Sequence, residues 1–156
     1  MNKLNWIQTL ELKPLDVEGG WYREIYRSSL TSQGNNLGAA IYYFLGKDDF
    51  SAIHKLDVDE LYFFLDGDPV EIFYGIKDEL KTIVLGTNLQ NGEQRFVQVP
   101  SGYWQGSRLK DFTKGALLAT VTFPAFSFQG FELGKFEFLK QLFKSQHNLI
   151  RELSKD

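Results

Sequence analysis

The sequence contains no cysteine among its 156 residues. Disulfide bonds, thiolate nucleophiles and cysteine-ligated metal sites are therefore excluded. A chain without cysteine is compatible with a reducing cytosol, and we predict a cytoplasmic location. Histidine is also scarce, because the chain has only two, so imidazole chemistry must involve His54 or His147.

Long apolar runs and a strong net charge are missing as well. No stretch approaches the ~20 apolar residues that span a bilayer, and the N-terminal segment has no signal-peptide core. The net charge of -3 provides no basic field. Neither a nucleic acid nor a membrane is therefore expected as a partner.

Aromatic residues, by contrast, are abundant and make up 15% of the chain. They fill the cores of β-sandwiches and the walls of small-molecule pockets. The chain is long enough for one domain with a substantial core. We predict a single domain over residues 1–156, with a barrel core at about 12–134.

Short segments rich in aromatic and β-branched residues follow one another through the middle of the chain. Turn signals such as Gly34-Asn35-Asn36 and Asn91-Gly92 separate them. Many short strands at this spacing predict an all-β fold of the jelly-roll β-barrel type. The predicted strands cover residues 21–30, 38–46, 50–56, 60–65, 70–76, 80–86, 95–99 and 115–123.

Both ends of the chain show helical spacing of apolar residues. Trp6, Ile7 and Leu10 precede Pro14 and predict a short N-terminal helix. A 3.6-residue apolar period predicts an amphipathic C-terminal helix over about 136–154, packed on the outside of the barrel.

His54 and Glu60 are the first candidates for chemistry. Strand alternation places Glu60 and Tyr62 on one face, and all three residues line one cavity if His54 points the same way. An imidazole titrates near neutral pH, so His54 is a candidate general base that Glu60 could orient. The alternative is a buried His-Glu pair with a structural role only.

Two arginines in the segment GGWYREIYR are candidates for ligand contact. Either Arg23 or Arg27 could bind a carboxylate or phosphate with two parallel hydrogen bonds. Either arginine could equally form a salt bridge with Glu24 or with a partner subunit. Gly19-Gly20 is interpreted as a turn, because a phosphate loop would need a downstream lysine and a strand–loop–helix setting.

Two motifs resemble those of cupins. His54-x-Leu56-x3-Glu60-x6-Gly67 matches the first cupin motif except that Leu56 replaces its second histidine. VPSGYWQ (99–105) resembles the second motif, with Gln105 in place of the histidine. Two of the four usual ligands are absent, so no cofactor is expected. If a divalent metal binds at all, we expect weak binding by His54, Glu60 and Gln105.

Six segments in order resemble the DUF985, or cupin-5, family of small cupins. They are LDVEGGWYREIYRS (15–28), AIYYFL (40–45), HKLDVDELYFF (54–64), GDP (67–69), VPSGYWQGSR (99–108) and LLATVTFPAFSFQGFELG (117–134). The resemblance covers roughly Leu12 to Gly134. It implies a jelly-roll fold, a homodimer and a small-molecule pocket inside the barrel, but no settled reaction.

The resemblance also suggests roles. Related sugar-nucleotide epimerases use a histidine base and a tyrosine acid, which makes Tyr62 the acid candidate, with Tyr22 or Tyr103 as substitutes. Further ligand contacts are predicted at Trp104 and Gln105, at a strand start near the barrel mouth, and at Phe126 in the pocket wall. The candidate ligand-binding residues are Arg23, Trp104, Gln105 and Phe126.

Three functions remain open from the sequence. The first is a metal-independent isomerase or epimerase acting on a sugar-like molecule or a small acid. The second is a non-catalytic module that binds a small molecule. The third is a metal-dependent oxygenase or decarboxylase, which the missing ligands disfavour.

Overall fold

The computed structural model describes residues 3–111 and 113–156. It contains thirteen strands and three α-helices within these residues. The strands are β1 (Lys13–Pro14), β2 (Trp21–Arg27), β3 (Thr31–Ser32), β4 (Asn35–Asn36), β5 (Ala39–Leu45), β6 (Phe50–Leu56), β7 (Asp59–Gly67), β8 (Val70–Gly75), β9 (Lys81–Leu85), β10 (Phe96–Val99), β11 (Trp104–Leu109), β12 (Ala116–Phe123) and β13 (Phe131–Leu133). The helices are α1 (Lys3–Thr9), α2 (Phe136–Leu142) and α3 (His147–Glu152).

Two antiparallel sheets form the body of the protein. The larger sheet has the order β1-β2-β5-β12-β7-β10, and the smaller has the order β13-β6-β11-β8-β9. Apolar side chains from both sheets, including Tyr43, Phe64, Ile72 and Leu118, form one interior cluster. The predicted all-β jelly-roll barrel with helices at both ends is therefore confirmed.

Helix α1 packs on the outer face of the larger sheet, as its apolar spacing predicts. The buried ring of Trp6 meets Phe44 edge to face, with the ring centroids 5.2 Å apart. Leu12 and Leu117 complete this small cluster. None of the helices within the described residues is long and apolar enough to span a bilayer.

The segment predicted as one C-terminal helix forms two helices, which corrects that prediction. The chain leaves helical geometry between α2 and α3, where the Gln146 side chain bonds to both the amide and the carbonyl of Leu80. The apolar period continues across the break, so Leu139 and Ile150 are both buried against the outer face of the smaller sheet.

Strand β6 is attached to the C-terminal segment as well as to its neighbouring strands. Beyond the end of β13, the amide of Gly134 donates to the carbonyl of Ile53 at 2.8 Å. The amide of Ile53 donates to the carbonyl of Leu153 at 2.9 Å. The backbone immediately before His54 is therefore held by the last helical turn of the chain.

Candidate functional site

A cavity of about 200 Å³ lies between the two sheets. The structure brings six candidate residues of the sequence analysis to its wall: His54 from β6, Glu60 and Tyr62 from β7, Phe126 from the loop after β12, and Tyr22 and Arg27 from β2. Most of the remaining wall is apolar. The volume is below the range of ~300–1,000 Å³ typical of drug-sized ligands, so the cavity fits a smaller molecule.

His54 is held in one orientation and one tautomer. Its side chain is 1% exposed and stacks on Phe131, with the ring centroids 5.2 Å apart. Nδ1 lies 2.8 Å from the carbonyl oxygen of Ala52. Because a carbonyl can only accept, Nδ1 carries a proton. In the neutral imidazole, Nε2 is therefore the unprotonated atom that can accept a proton.

Glu18, which the sequence analysis missed, is the carboxylate that pairs with His54. Its Oε2 lies 3.7 Å from Nε2 of His54. Ser51 donates to the other oxygen at 2.6 Å, and the amide of Ala52 donates to the backbone carbonyl of Glu18. The only sequence signal was the position of Glu18 inside the segment LDVEGGWYR, which carries part of the family resemblance.

Glu60 belongs to a separate, closed network with Tyr62 and Gln105. The Tyr62 hydroxyl lies 2.8 Å from Oε1 of Gln105 and 3.1 Å from Oε2 of Glu60. Nε2 of Gln105 donates to the same Glu60 oxygen at 3.0 Å. A hydroxyl has only one proton, so all three contacts are hydrogen bonds only when Glu60 is itself protonated and donates to Tyr62.

Burial raises the pKa of Glu60, and the negative charge of Glu18 raises it further. The charge of His54 and hydrogen bonding with Thr120 and Tyr62 lower the pKa without cancelling the rise. Burial, followed by the charge of Glu60, raises the pKa of the Tyr62 hydroxyl well above its ordinary value. Tyr62 therefore keeps its proton at neutral pH.

Gln105 supports the site from behind rather than lining the cavity. It lies directly opposite His54 in the pairing of β11 with β6, and it is 1% exposed. Its amide oxygen and nitrogen are both occupied by Tyr62 and Glu60. The predicted ligand contact at Gln105 is therefore replaced by a contact with the two residues that do line the cavity.

Trp104 and Arg23 are directed away from the cavity. Adjacent residues of a strand point to opposite faces, so Trp104 faces outward where Gln105 faces inward. The indole is buried near Phe138 of α2, at 5.8 Å between ring centroids. Arg23 lies outside the barrel, where Nη1 donates to Glu11 at 3.0 Å. The structure does not bring these two predicted ligand contacts to the site.

A β-bulge in β2 explains why Arg27 rather than Arg23 reaches the cavity. The pairing with β5 shifts between Glu24 and Tyr26, which leaves Ile25 as an extra residue. A bulge of one residue reverses the alternation beyond it. Arg27 consequently shares the inner face with Tyr22 and Glu24, although regular alternation would place Tyr26 there.

The Arg27 guanidinium is already paired at the cavity mouth. Nε and Nη2 donate to the two carboxylate oxygens of Glu24 at 3.0 and 2.8 Å. Nη2 also donates to the carbonyl of Phe126 at 3.3 Å. This bidentate geometry satisfies most of the donors that would otherwise bind an anionic ligand.

Three further tyrosines differ in their access to the cavity. Tyr22 lines it and remains a candidate acid. Tyr103 packs beside Tyr74 against the interior cluster and does not line the cavity. Tyr43, which the sequence analysis missed, lines the cavity and donates to the carbonyl of Gly19 at 2.9 Å.

Three phenylalanines form an aromatic wall beside His54. Phe126, Phe128 and Phe131 meet edge to face, with ring centroids 5.0 to 6.4 Å apart. All three line the cavity, as predicted for Phe126. Phe128 is 61% exposed and lies at the entrance.

The donor set does not fit a firmly held metal ion. No group of three His, Cys, Asp or Glu side chains suited to a metal occurs within residues 3–111 and 113–156. Of the three possible ligands His54, Glu60 and Gln105, the last two are bonded to each other and to Tyr62. One imidazole and the Glu18 carboxylate beside it are therefore left, which is fewer than the three or four protein ligands that usually hold a first-row metal firmly.

Comparison with known proteins identifies a family model and close structural relatives. The model described as "Cupin superfamily (DUF985)" matches residues 4–134. A crystal structure of a protein from Shewanella oneidensis shares 32% identity over 99% of this chain and 98% of its own, with a TM-score of 0.92. A hypothetical protein from Leishmania major shares 23% identity over the full length of both chains, with a TM-score of 0.91.

More distant structural similarity extends to an enzyme. A mutant of oxalate decarboxylase from Bacillus subtilis shares 15% identity and a TM-score of 0.57. The match covers 87% of this chain and 36% of that enzyme. Similarity at this level concerns the fold alone. Comparison with curated proteins gave no match.

Proposed function

The chain belongs to the DUF985 family of the cupin superfamily, and on that premise we propose that its barrel cavity binds a small polar molecule with which His54 exchanges a proton. The observation that carries this proposal is the bond between Nδ1 of His54 and the carbonyl of Ala52. That bond fixes Nε2 as the atom that accepts a proton on the cavity side.

The reaction class that suits this arrangement is a metal-independent isomerisation or epimerisation. His54 removes a proton from a carbon atom of the ligand, and Glu18 stabilises the resulting imidazolium at 3.7 Å. A tyrosine that lines the cavity returns a proton to the carbon from the opposite side. Tyr22 and Tyr62 are the candidates, and Tyr62 is the one held in place by Gln105.

Hydrogen–deuterium exchange into sugar-like candidate substrates tests this proposal. The protein is incubated with each compound in D₂O, and incorporation at carbon is followed by NMR. We expect incorporation with the wild type and with His147→Gln, whose side chain lies on the surface beside Lys140. Incorporation that persists unchanged in His54→Gln would refute the proton transfer.

A second candidate function is binding without chemistry. The closed network of Glu60, Tyr62 and Gln105 favours it, because these polar groups satisfy one another. Under this function, a compound that binds in the cavity shows no exchange at carbon with the wild type. The same NMR experiment therefore separates the two candidates.

We also propose that the protein acts as a homodimer in the cytoplasm. The exposed rings of Phe63 and Phe96 lie 5.1 Å apart on the outer face of the larger sheet, next to its edge strand β10. An exposed aromatic pair at a sheet edge favours a subunit contact. In analytical ultracentrifugation, Phe96→Glu should sediment as a monomer. The cytoplasmic location is supported by the absence of cysteine, which is compatible with a reducing compartment.

A further inference from the structure

The charges around the cavity never sum to a positive value. Glu18, Glu24 and Glu60 line it, and Arg27 and His54 are the basic residues of the same wall. Even with His54 charged and Glu60 protonated, the two remaining carboxylates balance the two cations. With His54 neutral, the wall carries a net negative charge. The cavity therefore offers no excess positive charge to an anionic ligand.

Two of the three guanidinium nitrogens of Arg27, Nε and Nη2, are already bonded and cannot form an anion clamp without giving up these bonds. Its guanidinium is bonded to both oxygens of Glu24 and to the carbonyl of Phe126. An anionic ligand that took these donors would leave the Glu24 carboxylate unpaired at the mouth. Because the pair is partly exposed, its loss opposes binding only modestly and adds to the lack of excess positive charge.

The inner wall presents two neighbouring hydrogen-bond acceptors. Nε2 of neutral His54 and Oε2 of Glu18 lie 3.7 Å apart. A donor atom placed about 2.9 Å from each could bond to both at once. An ammonium group has enough protons to bond to both acceptors, and a hydroxyl can bond to one of them, whereas an ionised carboxylate or phosphate supplies only further acceptors.

The aromatic wall suits an apolar or aromatic body behind this head group. Phe131 stacks on the His54 ring, and Phe126 and Phe128 extend the wall towards the entrance. Aromatic faces also attract a positive charge. The cavity volume of about 200 Å³ limits the ligand to a small molecule.

We infer that the cavity takes a small molecule with an apolar or aromatic body and either an amine head group, which bonds to both His54 and Glu18, or a hydroxyl head group, which bonds to one of them, and that it rejects carboxylates and phosphates. This inference rests on the proposed function and narrows it. Of the two substrate classes that the sequence left open, it retains the sugar-like molecules, which carry hydroxyl donors, and removes the small acids.

Three matched probes test the inference: 2-phenylethylamine, 2-phenylethanol and phenylacetate, which share a body and differ in head-group charge. Binding at neutral pH is measured by NMR titration, with the imidazole signals of His54 as reporter. We expect the amine and the alcohol to bind at least about tenfold more tightly than phenylacetate. The ratio between amine and alcohol distinguishes a preference for charge from a preference for a donor.

Glu18→Gln and Glu11→Gln provide a matched pair of variants. Glu18 faces the cavity, whereas Glu11 pairs with Arg23 outside the barrel. We expect Glu18→Gln to weaken the binding of 2-phenylethylamine about tenfold. The difference in affinity between 2-phenylethylamine and phenylacetate should therefore become smaller. Glu11→Gln should change neither affinity.

The outcomes separate the two proposals. Phenylacetate binding at the His54 signals as tightly as the alcohol overturns the inference and leaves the proposed function standing. Equal loss of amine binding in Glu18→Gln and Glu11→Gln also overturns it. If none of the three probes perturbs the His54 signals, the inference is overturned, and the proposed function still stands or falls on deuterium exchange into the sugar-like compounds.

Discussion

The Oε2 atom of Glu18 and the Nε2 atom of His54 lie 3.7 Å apart across the wall of the barrel. Glu18 comes from the loop between β1 and β2, and His54 comes from the middle of the smaller sheet. The site therefore contains two separate polar groups. His54 with Glu18 forms one of them, and Glu60 with Tyr62 and Gln105 forms the other, from which Glu60 and Tyr62 also line the cavity.

Replacing Glu60 by glutamine should change how stability depends on pH. The pKa of Glu60 is raised by burial, so the folded state holds this proton more firmly than the unfolded state does. Wild-type stability should fall as the pH rises above about 4.3, by up to about 1.4 kcal/mol per pH unit until the folded carboxyl ionises. Measured by urea unfolding between pH 4 and 8, the free energy of unfolding of Glu60→Gln should rise relative to that of the wild type as the pH rises. A constant difference would contradict this expectation.

The contribution of Asp68 to stability should depend on pH in the opposite direction. Burial acts to raise its pKa, but the Thr113 hydroxyl and the amides of residues 113–115 outweigh it and lower the pKa. Its stabilising contribution is present above about pH 4 and is lost as the pH falls through the folded value. Asp68→Asn should therefore be less stable than the wild type at neutral pH, and urea unfolding should show the gap closing in acid. A gap that widens in acid would refute the assignment.

Tyr62→Phe should destabilise the protein by about 1–3 kcal/mol, because it leaves the buried Oε1 of Gln105 without its donor. Tyr26→Phe is the matched control, since Tyr26 is 61% exposed and its change should stay within about 0.5 kcal/mol. Chemical denaturation measures both variants. Similar losses for the two would show that the network contributes nothing beyond the loss of a hydroxyl.

Trp104 and Phe128 should separate stability from binding. Trp104 is 4% exposed beneath the C-terminal helices, so Trp104→Phe should cost about 1–3 kcal/mol of unfolding free energy and leave affinity for 2-phenylethylamine unchanged. Phe128→Ala should change the free energy of unfolding by less than about 1 kcal/mol. It should weaken the binding of 2-phenylethylamine. A reversed pattern would place the ligand at Trp104 after all.

Chelation should leave the protein intact. Because His54 is the one imidazole at the cavity and Glu60 is occupied by Gln105, we expect the same thermal midpoint before and after EDTA. Elemental analysis of the untreated protein should give metal well below one ion per chain. Near-stoichiometric metal, lost together with several degrees of stability, would revive a metal-dependent activity.

Strand alternation predicted the shared cavity of His54, Glu60 and Tyr62, because period-two patterning survives in any half-buried strand. The same rule excludes Trp104 and Gln105 from facing one ligand together, since they are neighbours in β11. What alternation cannot predict is a bulge, because an extra residue leaves no mark on composition. The inward position of Arg27 could therefore not be predicted from the sequence.

Glu18 escaped prediction for a different reason. It lies in a loop, where no period fixes the direction of a side chain, and its pairing with His54 depends on the path of the chain over the barrel mouth. The break between α2 and α3 was hidden in a similar way. The apolar period of that segment runs through the break, and only the contact of Gln146 with Leu80 reveals it.

The backbone hydrogen bonds of Ile53 with Leu153 and Gly134 connect the site to the C-terminal segment. A deletion that removes Leu153 would take the acceptor from the amide of the residue next to the imidazole. Slow exchange of the Ile53 amide proton would report in solution that the last helical turn is seated, before any ligand is added.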